Sequence, residues 1–170
     1  VETVSPDASN TGFVVLNPGA GWPNKRWPPE RFSAVARWLR DTLGLRAVIA
    51  WGPGDEALAR AVVEGADGAA ELSPPTTIPT LASMLRQARL MVAGDTGPAH
   101  LAAALGTPVV GLYGPTDPDR NGPWLREDVT VSRFSRCRCR YRRRCRMVEW
   151  CLGEATVDDV TAAIRERLGT

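Results

Sequence analysis

Gly94-Asp95-Thr96-Gly97-Pro98-Ala99-His100 is the stretch on which the fold turns. It follows the apolar run Leu90 to Ala93 and leads into Ala99 to Leu105, a good helix-forming segment. A strand, a glycine-bearing turn and a helix in succession form the repeating unit of a parallel sheet. The same unit recurs upstream. Phe13 to Leu16 reads as a buried strand, Asn17 to Gly21 as a loop, and Pro28-Pro29-Glu30 as a helix start. Phe32, Val35, Ala36 and Leu39 then recur at helical spacing, and Gly44 ends that helix. A second unit runs from a strand at Ala47 to Trp51, through Gly52-Pro53-Gly54-Asp55, to a helix over Glu56 to Glu64. A weaker third joins a strand at Ala70 to Leu72 to a helix from Ile78 to Arg89. Downstream come a strand at Pro108 to Leu112, a long loop from Tyr113 to Trp124, a last strand at Val129 to Ser132 and a closing amphipathic helix at Val157 to Leu168. The predicted fold is α/β: a Rossmann-like parallel sheet with helices on both faces. Such sheets bind ligands beyond the carboxyl ends of their strands, where each glycine-rich turn falls.

The chain has 170 residues, enough for one domain with a real core, and 44% of them are hydrophobic, which excludes wholesale disorder. No apolar run is long enough to span a bilayer, and no signal peptide opens the chain. Residue 1 is Val, so an excised domain or fragment is expected. Residues 1–11 are polar and read as a linker, leaving 12–170 as the folded domain. The net charge of +2 is uneven, because Arg133 to Arg146 holds eight arginines and no acid. Without them the rest carries about −6. Lys25 is the only lysine and His100 the only histidine. All four cysteines fall between 137 and 151, and their absence from the body points to a reducing, cytoplasmic compartment.

Each candidate site residue has a chemical and a plainer reading. In the Gly94 to His100 turn, glycines let backbone approach a ligand, and the N–H groups opening the next helix attract phosphate. Thr96 adds a hydroxyl, Asp95 an acceptor for sugar hydroxyls, and His100 lies one helical turn further on. Alternatively Asp95 or Thr96 caps the helix, Gly97 fits a tight turn and His100 packs. Lys25, in the first strand-to-helix loop, is a point charge suited to a departing diphosphate, or else an ordinary solvated lysine. Glu56 could hold ribose hydroxyls, or simply complement the helix dipole.

Taken in order, these segments resemble the carboxy-terminal, donor-binding domain of glycosyltransferase family 9, the lipopolysaccharide heptosyltransferases. The resemblance rests on Asn17-Pro18-Gly19-Ala20 with Lys25-Arg26-Trp27-Pro28, on Gly52 to Glu56, on Thr77-Ile78-Pro79-Thr80-Leu81, on Gly94 through Pro108, and on Tyr113-Gly114-Pro115-Thr116-Asp117-Pro118. It implies one half of a GT-B enzyme that inverts configuration, needs no metal for the chemistry, and moves a heptose or related sugar from an ADP-sugar to a lipopolysaccharide core or lipid-linked acceptor. It further implies that Ala20, Gly21 and Lys25 contact the diphosphate, that Glu56 holds the ribose and that Thr77 flanks the adenine. Asp95 would meet the sugar, Thr96 and Gly97 the phosphates, and His100 would sit close behind. The catalytic base is implied to lie in an amino-terminal, acceptor-side domain, with none in this chain. A stand-alone or inactive nucleotide-sugar-binding module, or a basic interaction domain on an inert fold, are the other readings.

Residues 133–151 form a Cys/Arg-rich insertion. Cys137, Cys139, Cys145 and Cys151 follow a C-x-C-x5-C-x5-C spacing that is not a standard zinc pattern. They allow a structural zinc or reduced thiols in a loop. Cys137 and Cys139 are flanked by arginines, which should lower thiol pKa values and favour oxidation. Arg133 to Arg146 suits anionic headgroups or acceptor phosphates, and with it a peripheral place at the inner face of the inner membrane. Nonspecific nucleic-acid binding and a solvated basic loop are the alternatives. Nucleic acid ranks behind, since no aromatic stacking platform accompanies the arginines.

Overall fold

The computed structural model describes residues 12–123 and 125–170. The expected linker, residues 1–11, lies outside the described residues, as does Trp124. Six strands form one parallel sheet: β1 Phe13–Asn17, β2 Arg46–Ile49, β3 Ala70–Leu72, β4 Leu90–Gly94, β5 Val109–Tyr113 and β6 Val129–Ser132. Their order is β3-β2-β1-β4-β5-β6. Longer helices are α1 Pro29–Leu43, α2 Glu56–Gly65, α3 Ile78–Gln87, α4 Gly97–Ala104 and α6 Val157–Leu168, with a short α5 at Pro118–Asn121.

Strand alternation sorts the core onto two faces. Val14, Leu16, Leu90, Val92, Val110 and Leu112 join the side covered by α1, α2 and α6. Val15, Met91, Ala93 and Val109 face the opposite side, with Leu85 of α3 and Ala99, Ala102 and Ala103 of α4. This is the near-continuous burial that a doubly covered parallel sheet requires. The Gly44 stop signal acts as expected, and the structure adds a cap on the last helix. Gly44 closes α1 in the left-handed conformation (φ 64°), and Thr156 with Asp159 forms a capping box on α6.

Two expectations need correction. The segment from Tyr113 to Trp124 is not all loop: Tyr113 ends β5 on the sheet, and Pro118–Asn121 winds into α5, with the Asp117 side chain accepting from the Asp119 N–H. And α4 starts at Gly97, not Ala99, because Pro98 fits its first turn, where no N–H is required.

The strand order reverses between β1 and β4. Chain leaving β1 crosses to one side and chain leaving β4 to the other, so the two loops part and leave a crevice at the carboxyl edge.

Candidate ligand cleft

A cavity of about 420 Å³ opens at this switch point. The loop after β1 supplies Gly19, Ala20, Gly21 and Lys25, the turn after β4 supplies Asp95, Thr96 and Gly97, and the β2–α2 turn adds Asp55. Two glycines set its shape for opposite reasons. A Cβ at Gly94 would lie 2.9 Å from the Lys25 carbonyl, so this glycine lets the β1 loop close over the end of β4. A Cβ at Gly97 would meet no protein atom within 4 Å, so the fold itself does not require that glycine and the space before it is open.

Asp95 is the hub. One carboxylate oxygen, Oδ2, accepts from Lys25 Nζ at 2.6 Å and from Asn121 Nδ2 at 3.2 Å. The other, Oδ1, lies 3.2 Å from His100 Nε2. The Asp95 and Lys25 side chains are only 5% and 13% exposed, which keeps water from screening the pair. Burial of Asp95 works against its ionisation. Hydrogen bonding from Lys25, the neighbouring Thr116 hydroxyl, the lysine charge and Asn121 outweigh it, and the carboxyl stays below its ordinary range. Thr116 acts by proximity, because its buried Oγ1 has no well-formed hydrogen bond. Lys25 Nζ also sits 4.3 Å from the centre of the Trp22 ring, a cation–π contact beside the ion pair.

The capping alternative for the β4–α4 turn does not hold. The Thr96 side chain makes no cap bond to α4; its Oγ1 accepts instead from Asn17 Nδ2 at 3.4 Å. Asp95 is spent on Lys25, Asn121 and His100. The first N–H groups of α4 are thus left uncapped by side chains at the cavity wall, the arrangement that receives phosphate.

The structure gathers Ala20, Gly21, Lys25, Asp95, Thr96 and Gly97 at the cavity and puts His100 against Asp95. It sets two candidates apart. Glu56 opens α2 but pairs with Arg60 one turn on, at 2.6 Å, and does not line the cavity. Thr77 caps α3 through a box with Thr80 and is exposed, also off the cavity wall. Four residues not singled out from sequence belong to the site. Asn17 ties Gly19 to Thr96, and Asn121 holds Asp95. Asp55 pairs with Arg26 at 3.0 Å, and Arg26 Nε also donates to the Ala20 carbonyl, bracing the loop. The position of Asn17 at a strand's carboxyl end was a usable signal for it. Nothing local marks Asn121.

The four cysteines converge. Cys137, Cys139 and Cys151 are buried together with Cys145 packed against them. The Cys139 and Cys145 sulfurs are in contact, 2.8 Å apart. Among the described residues no group of His, Cys, Asp and Glu has the geometry to hold a metal ion. The hydrogen bond from Cys145 holds the Cys139 thiol below its usual range, while burial pushes Cys151 up to about 12. The Cys139 thiol is thus lowered, but not by the arginines that flank it: Cys145 and the Arg146 backbone lead, and the arginine charge that contributes is that of Arg142.

A parallel sheet in this order, with a glycine-lined crevice at its reversal point that holds the Lys25–Asp95 pair, defines a Rossmann-like ligand-binding domain. Comparison with known proteins narrows the class: the family model for glycosyltransferase family 9 (heptosyltransferase) matches residues 2–151, and the chain belongs to that family. Lipopolysaccharide heptosyltransferase 1 of Pseudomonas aeruginosa is 35% identical over 118 residues, covering 69% of this chain and 33% of that protein. The Salmonella typhimurium protein of the same name is 38% identical over 96 residues, 56% of this chain and 30% of the relative. Among solved structures, E. coli heptosyltransferase WaaC with ADP superposes with a TM-score of 0.76 at 27% identity, over 92% of this chain and 44% of that one. The chain thus spans a minor part of the length of the relatives it matches.

Proposed function

We propose that this chain is the donor-binding half of an inverting glycosyltransferase that uses an ADP-linked heptose or related sugar, with a lipopolysaccharide core or lipid-linked acceptor. The observation that carries the reading is the Lys25–Asp95 pair beside the uncapped start of α4. The diphosphate would lie against the α4 N–H groups and Gly21, with Lys25 supplying the positive charge. Transfer leaves negative charge on the departing diphosphate, and a lysine already in place stabilises it without reorganisation and without a metal. Asp95, held ionised, would position Lys25 and accept from sugar hydroxyls, and His100 would support Asp95. Glu56 would reach the ribose after leaving Arg60, and Thr77 would flank the adenine. The base that activates the acceptor is assigned to the acceptor-side half, outside these residues.

The family membership and the likeness to a heptosyltransferase solved with ADP support this reading. The test is transfer from ADP-heptose to a lipopolysaccharide core acceptor, comparing this chain with the full-length gene product. The longer protein should transfer, while this chain should bind donor without transferring. Failure of the longer protein to transfer in the presence of donor and acceptor would refute the assignment.

A further inference from the structure

The segment between β6 and α6 is not used by the donor site. Eight arginines lie between Arg133 and Arg146. Arg133 is engaged with Asp159, and Arg140 bonds the Phe134 and Ser135 carbonyls. Arg138, Arg142, Arg143, Arg144 and Arg146 are exposed, and among the described residues none has a carboxylate within ion-pairing distance. These five line a hollow of about 630 Å³. Apolar groups project beside them: Tyr141, Met147 and Val148 are 45%, 47% and 98% exposed, three of the four large apolar side chains so exposed among the described residues.

We propose that residues 138–148 form a docking surface for a bilayer rich in anionic phospholipid. Guanidinium groups pair bidentately with phosphate, and a cluster of them is drawn to a negative lipid surface. Exposed Val148 and Met147 enter the headgroup layer, where an apolar side chain gains by leaving water. A solvated basic loop does not call for a fully exposed valine and a methionine at its tip. Single-stranded nucleic acid would call for exposed aromatic faces in series, and here Tyr141 is engaged edge-on with Phe134 at 5.6 Å. The surface is also held to the cleft loop: Asn24 Nδ2 donates to the Arg142 carbonyl at 2.8 Å, and Trp150 Nε1 to the Arg26 carbonyl at 3.1 Å. If the chain holds a sugar donor as proposed above, docking brings that donor to a membrane-borne acceptor. Membrane binding itself does not depend on that reading.

The experiment is co-sedimentation of the chain with vesicles of phosphatidylglycerol and phosphatidylcholine, against pure phosphatidylcholine. Binding should require phosphatidylglycerol and weaken steeply with salt. The triple variant Arg142→Gln, Arg143→Gln, Arg144→Gln should lose on the order of a hundredfold, at about fivefold per arginine. Val148→Asp should weaken binding severalfold while leaving the salt dependence in place. Both change exposed side chains, so unchanged melting curves are expected to accompany the losses. Equal binding to the two vesicle types, wild-type binding by the triple variant, or tighter binding to a single-stranded oligonucleotide would each overturn the proposal. Loss of ADP binding with vesicle binding intact would instead count against the donor site.

Discussion

Replacing Lys25 by Ala removes the cation nearest the proposed diphosphate and leaves Asp95 behind. In the wild-type chain the ammonium lies 2.6 Å from Asp95 Oδ2, with both side chains largely shielded. Two unit charges about 4 Å apart interact by about 4 kcal/mol at an effective dielectric constant of 20. That gross figure exceeds the loss expected on binding, because Lys25 must share its charge with Asp95 and shed its own solvation. A charge-assisted hydrogen bond contributes about 1.5–3 kcal/mol net, so ADP affinity should fall roughly ten- to hundredfold. The partner variant separates the roles. Asp95→Asn leaves Lys25 free for phosphate, so ADP itself should bind as well or better, while ADP-sugar should lose the contact that Asp95 makes to its sugar. The double variant should bind ADP better than Lys25→Ala alone, since no unpaired carboxylate then faces the phosphates. Calorimetry with ADP measures all four proteins. It is best done in the Arg142, Arg143, Arg144→Gln background, because the arginine surface is a second home for a diphosphate. Unchanged ADP affinity in Lys25→Ala in that background would refute the reasoning.

The Asp95 carboxyl titrates below its ordinary value in the folded chain. Its stabilising contribution is therefore complete above about pH 4, the unfolded value, and is lost as pH falls through the folded one. In Lys25→Ala the cation no longer opposes burial, so melting should show a larger loss of stability at pH 7 than at pH 3. Gly97→Ala meets no protein atom and should melt within a few degrees of wild type, yet lose ADP affinity roughly tenfold by crowding the ligand. Normal affinity would remove Gly97 from the site. Trp27 is 1% exposed, stacks edge-on with Phe32 at 5.1 Å and donates to the Ala155 carbonyl at 2.9 Å. Trp27→Ala should cost about 3–5 kcal/mol in denaturant unfolding, and a loss below 1 kcal/mol would contradict that packing.

Much of the fold is legible because its signals are local and repeated. Apolar runs such as Phe13 to Leu16 and Leu90 to Ala93 must be buried on both faces, and the turns between them and the helices need glycine or proline. Family resemblance then put Lys25 and Asp95 in one site, a contact across 70 residues that periodicity does not reveal. What stayed hidden depends on distance or brevity. α5 has four residues, too few to show a period, so Asn121 could not be placed against Asp95. At the second turn, Asp55 lines the cavity and Glu56 turns to Arg60, a difference of one residue set by where α2 begins. Arg26 looked like a neighbour of Lys25 but braces the loop through Ala20 and Asp55. The spacing of the four cysteines left open whether they converge or lie apart in a loop; in the fold Cys145 packs against buried Cys137, Cys139 and Cys151.

A crystal structure of the chain soaked or grown with ADP, in metal-free buffer, tests the central claim most directly. The account predicts the diphosphate at the switch point, within hydrogen-bonding distance of the Gly97 region of α4 and of Lys25 Nζ, with Asp95 still close to the lysine. ADP bound only among Arg138 to Arg146, with the cleft between the β1 and β4 loops empty, would contradict it.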